Sequence, residues 1–240
     1  MNKFIRNILR LIYKLITAPR LRYSLLMEGM RRLFFTYDTR EAVMSKIMEW
    51  AYFRNLNGDY MEFGTYKGNS FIKAFHFARF AGLSSMKFYA FDSFTGYPPL
   101  EGIDKECGYF KEDNYVCDLD TFKRNLLKGG VDLKKVVIVP GWFDRLREIA
   151  KNRVESKVAS VVWLDCDLYK STLEALDFLV DYVVDGTVIV FADWLTCNGN
   201  PNLGQPRAAR EWLEKHPDIK LVEFMDFVGS KTFVVSKPNT

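Results

Sequence analysis

Histidine and paired cysteine are scarce in this 240-residue chain. It has two histidines, His76 and His216, and four cysteines, Cys107, Cys117, Cys166 and Cys197, none in a Cys-x-x-Cys pair. A zinc site of the usual ligand spacing is thereby excluded, and the isolated thiols are expected to be reduced, in a cytoplasmic protein. Long apolar runs are also missing. The apolar stretch at the start is broken by Arg6, Arg10 and Lys14, and no small-residue cleavage site follows it. It therefore reads neither as a signal peptide nor as a membrane span. Positive charge is thin over most of the chain. Eight basic side chains against the single Glu28 give residues 1–35 a charge of +7, so that, with a net +4, the remainder carries −3. That remainder offers no extended basic groove for phosphates, and no nucleic-acid partner is expected.

With a hydrophobic content of 48%, the chain can bury the core of one sizeable α/β domain. At its start, Phe4, Ile5, Ile8, Leu9, Ile12, Leu15 and Ile16 recur at helical spacing with the basic residues displaced to the other side. Residues 1–18 thus read as an amphipathic basic helix. It would pack on the domain or a second subunit as a homo-oligomer contact, or lie peripherally on an anionic membrane surface. A second helical stretch follows Pro19 to about Phe35, and Asp38-Thr39-Arg40-Glu41 reads as the cap of a third, Ala42 to Leu56. Residues 1–56 are expected to form a helical extension and residues 57–240 the main domain.

From Tyr60 the pattern changes to short apolar runs at Tyr60–Gly64, Lys87–Asp92, Val136–Pro140, Ala159–Asp165 and Thr187–Asp193. Helical segments at Ser70–Ala81, Asp120–Leu127, Phe143–Ala150 and Ser171–Val183 separate them. Strands apolar along nearly their whole length, alternating with helices, indicate a doubly wound α/β fold with a parallel sheet covered on both faces. After a helix at Arg207–Lys215, the segments Lys220–Phe224 and Thr232–Val235 suit an antiparallel hairpin at one sheet edge.

In such sheets ligands sit beyond the carboxyl ends of the strands. The first strand runs into Glu62-Phe63-Gly64-Thr65-Tyr66-Lys67-Gly68-Asn69-Ser70, a glycine turn that opens a helix. It is neither a Walker loop nor a Gly-x-Gly-x-x-Gly fingerprint. Its glycines would let backbone approach a ligand closely, and Glu62 supplies an acceptor. The second strand ends in Asp92-Ser93-Phe94, and a carboxylate there suits a ribose diol, which points to a nucleoside cofactor. The fourth ends in Asp165-Cys166-Asp167 and the fifth in Ala192-Asp193. Carboxylates on adjacent strand ends about 4.8 Å apart suit Mg²⁺, or else a general base with a hydrogen-bonded partner; otherwise Asp165 and Asp167 merely cap the next helix. The aromatic and acidic segment Thr95–Asp118 reads as a lid. His76 is expected to be packed or at the surface, His216 to end its helix, and Arg207 and Arg210 to face either the site or solvent.

Taken together, Glu62-x-Gly64-x-x-x-Gly68-x-Ser70, Phe91-Asp92-Ser93-Phe94-x-Gly96-x-Pro98, Gly141-Trp142-Phe143 and Asp165-x-Asp167-Leu168-Tyr169-x-Ser171-Thr172 resemble the macrocin O-methyltransferase family over about residues 58–215. Residues 1–35 carry none of the pattern. The resemblance implies the class I methyltransferase fold with a seven-stranded sheet, S-adenosyl-L-methionine as methyl donor, a sugar hydroxyl of a small molecule or glycan as acceptor, and Mg²⁺ held by aspartates. It implies that Glu62, Gly64, Thr65, Tyr66, Gly68 and Ser70 surround the amino-acid half of the cofactor. Asp92, with Ser93 and Phe94, would hold the ribose, and Trp142 and Phe143 would line the adenine side. Asp165 would be metal ligand and catalytic base, with Asp193 a second ligand. The resemblance implies paired aspartates after the fifth strand, whereas Ala192 precedes Asp193 here; either Asp167 or Asn198 would replace the missing ligand, or the metal would bind weakly. A competing reading is a nucleoside-binding module that has lost catalysis and is tethered through its basic start.

Overall fold

The computed structural model describes residues 39–111 and 115–237; the two helical stretches expected over residues 1–35 lie outside the described residues. The chain enters the described part through helix α1 (Arg40–Phe53), whose N-cap Thr39 accepts from Ala42 N–H through its side chain. Strand β1 (Asp59–Phe63), α2 (Asn69–Phe80) and β2 (Phe88–Asp92) follow, then the short α3 (Gly102–Glu106) and α4 (Leu119–Lys128). Next come β3 (Val136–Pro140), α5 (Leu146–Ala150), β4 (Ala159–Leu164), α6 (Tyr169–Leu179), β5 (Val183–Phe191), α7 (Gly204–Lys215), β6 (Lys220–Glu223) and β7 (Lys231–Ser236).

The seven strands form one sheet in the order β3-β2-β1-β4-β5-β7-β6. Strands β1 to β5 are mutually parallel, and β7 inserts antiparallel between β5 and β6. The expected edge hairpin is thus present. Within each central strand, side chains alternate between two cores. Tyr60, Phe88, Val161, Trp163, Val188 and Val190 face a layer containing α1, α2 and α4, whereas Met61, Phe63, Tyr89, Phe91, Val162, Leu164, Ile189 and Phe191 face α5, α6 and α7. Burial on both faces is why these strands carry continuous apolar runs. Each fully buried side chain of this size contributes about 1.5–3 kcal/mol.

Helix α1 belongs to the same core as α2, since Val43, Met44, Ile47, Met48 and Ala51 are buried against it. Several boundaries differ from expectation: α1 ends at Phe53 rather than Leu56, and α7 begins at Gly204 rather than Arg207. Helix α6 stops at Leu179 instead of reaching Val183, because Val183 already pairs with Ala159 as the start of β5. The segment after Phe143 begins as a 3-10 turn before α5. His76 is exposed and bonds Gly129 O at 2.7 Å, and His216 ends α7.

One expectation is overturned. Cys107 and Cys197 are joined in a disulfide across 90 residues of sequence, with Cα atoms 5.2 Å apart. The fold, not the spacing, brings these residues together; Cys117 and Cys166 are buried free thiols.

Candidate functional site

The chain runs outward in one direction from β1 to β2 and β3, and in the other from β4 to β5, so the sheet switches between β1 and β4. A cavity of about 590 Å³ opens over the carboxyl ends of these strands, within the size range of sites for drug-sized ligands. One part of its wall comes from Gly64, Thr65, Tyr66 and Ser70 after β1, Asp92 and Ser93 after β2, and Trp142 and Phe143 after β3. The other comes from Asp165 and Asp167 after β4, Asp193 after β5, and Tyr97, Asp104 and Tyr115 of the covering segment. Glu62, Gly68 and Phe94 do not line it, and each has a local reason.

Glu62 follows Tyr60 on the α1–α2 side of β1, because alternate residues of a strand share a face. It is fully buried, accepting from Tyr60 Oη and, at 2.6 Å, from Ser70 Oγ. Burial pushes its carboxyl up to about 8, against the lowering effect of those two donors. Gly68 caps α2 in the left-handed region at φ 85°, and a Cβ there would sit 3.0 Å from the Phe122 ring. Phe94 is buried, its ring 5.3 Å from that of Phe122.

Gly64 is required by protein backbone. At φ +85° its missing Cβ would lie 2.1 Å from Asp165 O, where the end of β4 closes on the turn. Asp92 fastens the same turn: Oδ2 accepts from Thr65 N at 2.7 Å and Tyr66 N at 2.9 Å, and Oδ1 from Phe94 N at 2.8 Å.

At the acidic end, Asp165 shares the parity of Trp163 and so faces α1. Its Oδ2 accepts from Arg40 Nη1 at 2.9 Å and from Trp163 Nε1 at 3.3 Å. Asp167 has a left-handed backbone at φ 59°, a strained conformation for this residue type that often marks a site. Tyr97 donates to its Oδ2 at 2.6 Å. Burial, followed by the neighbouring Asp165 charge, leaves the Asp167 carboxyl near 7, despite the Tyr97 hydrogen bond. Burial likewise raises Asp193 well above the carboxylate range, reinforced by Asp167 and Asp165. Asp193 Oδ2 accepts from Asp167 N at 3.1 Å.

Three residues have roles that the sequence does not show. In the sequence Arg40 stands out only as part of a cap, yet a cation in the first turn opposes the helix dipole, and that mismatch is the available signal. The guanidinium responds to burial, which lowers its pKa, and to Asp165, Asp193 and Glu62, which together hold it above the ordinary value. Gln205, fully buried at the start of α7, accepts from Asp193 N at 2.9 Å and donates to Leu164 O at 3.2 Å, tying the ends of β5 and β4 together. Asp104 of α3 accepts from Tyr169 N at 2.6 Å and Lys170 N at 3.2 Å. It therefore caps α6 from the lid, whereas the N-cap position Leu168 provides no side-chain bond. Arg207 pairs with Glu211 at 2.8 Å and Arg210 bonds Pro201 O, so both turn away from the cavity.

The residues present do not assemble the donor set that Mg²⁺ needs. Asp165 is held by Arg40, Asp167 by Tyr97, and Asp193 by a backbone N–H; position 192 is alanine, and Asn198 is exposed away from the cavity. Among the described residues no group of three His, Cys, Asp or Glu side chains is placed to hold a metal ion. No helix among them is long and apolar enough to cross a membrane. At the cavity's other end, Gly64 and Tyr66 have positive φ, and Trp142, 39% exposed, lines the wall with Asp92, a set of groups that suits a nucleoside.

Comparisons agree with this architecture. A curated relative from Streptomyces olivaceus, 8-demethyl-8-(2,3-dimethoxy-alpha-L-rhamnosyl)-tetracenomycin-C 4'-O-methyltransferase, is 28% identical over 143 residues, 57% of this chain and 53% of that protein. The chain thus matches about half the length of that relative. The O-methyltransferase NovP superposes with a TM-score of 0.68 at 21% identity, covering 81% of this chain and 78% of its own. An O-methyltransferase from Bacillus cereus, solved with S-adenosylhomocysteine, gives 0.53 at 13% identity over 89% and 88%. These two likenesses show the class I methyltransferase fold. The sequence profile of Macrocin-O-methyltransferase (TylF) matches residues 18–214, so the similarity reaches further toward the start than residue 58 and takes in α1. The chain belongs to the macrocin O-methyltransferase family.

Proposed function

We propose that this protein transfers a methyl group from S-adenosyl-L-methionine to a hydroxyl of a sugar carried by a natural product or glycan. One observation carries the reading: a single cavity joins a glycine turn, a strand-end carboxylate and an open indole at one end to a cluster of aspartates and tyrosines at the other. Family membership and the rhamnosyl O-methyltransferase relative support the same chemistry.

In this reading Gly64, Thr65, Tyr66 and Ser70 hold the amino-acid half of the cofactor. Asp92 and Ser93 hold the ribose, and Trp142 and Phe143 the adenine side. Glu62, Gly68 and Phe94 shape the turn from behind. The cofactor supplies an electrophilic methyl carbon on a sulfonium. The acceptor oxygen forms a bond to that carbon as the carbon–sulfur bond breaks, its electrons passing to sulfur. The hydroxyl proton must then be taken up by protein. Asp167 suits that role better than Asp165, since a carboxyl near 7 on the cavity wall is matched to neutral pH, while Asp165 is already neutralised by Arg40. Tyr97 and Tyr115 offer rings to a sugar face. Because α1 delivers Arg40 to the cavity, the methyltransferase body is proposed to begin before residue 57. Contact of residues 1–18 with a membrane surface or a second copy is a separate part of the reading.

The test is transfer of labelled methyl from S-adenosyl-L-methionine to a panel of rhamnosyl glycosides and their aglycones, followed by mass spectrometry. Methylation of the sugar is expected. Tight cofactor binding with no transfer to any glycoside in the panel would overturn the assignment.

A further inference from the structure

We infer that Arg40 is the resident cation of the acidic end of the cavity, taking on Asp165 the place a divalent metal would need, so that this chain works without a bound metal. The inference rests on the methyl-transfer reading for its role in turnover, but not for its geometry. Arg40 Nη1 lies 2.9 Å from Asp165 Oδ2, with side-chain exposures of 38% and 19%. Its guanidinium carbon sits 5.8 Å from the Trp163 ring centroid and 5.1 Å from that of Phe227, two rings that are themselves stacked. A guanidinium held over aromatic faces and paired with a carboxylate is fixed in direction as well as charge, and it cannot lose its proton.

The surroundings favour this cation over an ion. Three aspartates face one cavity end, where packed negative charge is costly unless offset. Helix α1 starts at Arg40, so the side chain enters from a well-buried element with its cap in place. Ala192, next to Asp193, offers no ligand atom, and the Asp167 carboxylate is turned to Tyr97. The charge that a metal would neutralise is thus met from within the chain. Arg40 is a positioning residue: its hydrogen bond fixes the Asp165 carboxylate on the cavity wall.

The experiment is titration of the full chain with Mn²⁺ followed by electron paramagnetic resonance, in the presence of S-adenosylhomocysteine, for the native protein, Arg40→Met and Arg40→Lys. This readout needs neither acceptor nor turnover, so it stands even if no sugar is methylated. Native protein should leave the free Mn²⁺ signal unchanged at micromolar concentrations. Arg40→Met, which frees Asp165 at similar side-chain length, should bind at least tenfold more tightly than native, and Arg40→Lys should behave as native. On a glycoside that is methylated, the native rate should be equal in chelator and in millimolar Mg²⁺, and Arg40→Met should lose about 100-fold in kcat with partial recovery in Mg²⁺. Stoichiometric Mn²⁺ binding by the native protein, or native turnover that stops in chelator, would overturn the inference. So would an Arg40→Met variant, folded by circular dichroism, that matches the native protein in both Mn²⁺ binding and rate.

Discussion

Cys107 Sγ and Cys197 Sγ are bonded to each other, fastening the segment over the cavity to the loop that follows β5. Around the bond, Phe110, Leu168 and Cys197 form a small separate core with Tyr97, Leu100 and Leu203 packed against it. Among the described residues, the contacts that hold the cover include this covalent link, the Asp104 cap on α6, the Tyr97–Asp167 hydrogen bond and this small apolar core. Reduction, or Cys107→Ser, should cost about 2–4 kcal/mol of stability. It should also speed tryptic cleavage at Lys105 and Lys111 and raise the acceptor KM, while S-adenosylhomocysteine affinity by calorimetry changes little. Equal cleavage rates with and without reductant would show that the cover stays closed without the bond.

Asp92 ties its own strand to the turn after β1, so its removal should damage cofactor binding in two ways. Asp92→Ala strands the N–H groups of Thr65 and Tyr66, at about 1–3 kcal/mol each where they stay dry, and withdraws the acceptor proposed for the ribose. Calorimetry should show S-adenosylhomocysteine binding at least tenfold weaker. An unchanged affinity would remove Asp92 from the site altogether.

At Gly64 the expected defect is in the fold as much as in binding. Gly64→Ala adds a Cβ 2.1 Å from Asp165 O at a left-handed φ of +85°, so the β1 turn and the β4 end must part. About 2–4 kcal/mol should be lost, by analogy with strain and overpacking elsewhere. Differential scanning calorimetry would read this as a lower Tm, and a Tm equal to that of the parent would mean that the two backbones are not in contact.

The sheet was legible because its strands are buried on both faces, which leaves runs such as Ser160-Val161-Val162-Trp163-Leu164 with little else to be. The strand-end residues followed from the topology, since parallel strands deliver Asp92, Asp165 and Asp193 to one edge. What was hidden depends on side-chain parity and on partners distant in sequence. Glu62 sits two residues before Gly64, but its parity with Tyr60 turns it into the core. Arg40 is 125 residues from Asp165, and Cys107 is 90 from Cys197; no local pattern announces either pair. Helix α3 spans five residues with glycine first, too short for an apolar period to show.

If Asp167 takes the acceptor proton, the rate should follow its ionisation. Its carboxyl lies near 7, so kcat should rise with pH through about that value and level off above it. Asp167→Asn cannot accept the proton, and should lower kcat by about 100-fold or more and abolish that inflection while leaving cofactor affinity unchanged. An Asp165→Asn variant that loses the inflection instead would return the role to Asp165.

Glu62 gives a stability prediction whose sign follows from its burial. Its carboxyl is raised to about 8 in the folded protein, whereas an unfolded glutamate titrates near 4.3. Between those values the folded chain keeps a proton that the unfolded chain releases, so this group makes the protein less stable as pH rises, and the loss is complete above about 8. Each pH unit across the window is worth about 1.4 kcal/mol, a few kcal/mol in all. Glu62→Gln cannot ionise, and its amide can still bond both Tyr60 Oη and Ser70 Oγ. The variant should therefore match the parent in Tm near pH 5 and exceed it by about 5–10 °C near pH 8.5. Cofactor affinity should be nearly unchanged, because Glu62 lies behind the cavity wall. Parallel Tm curves for parent and variant from pH 5 to 8.5 would instead show that Glu62 stays ionised, with the positive charge of Arg40 reaching it through the core.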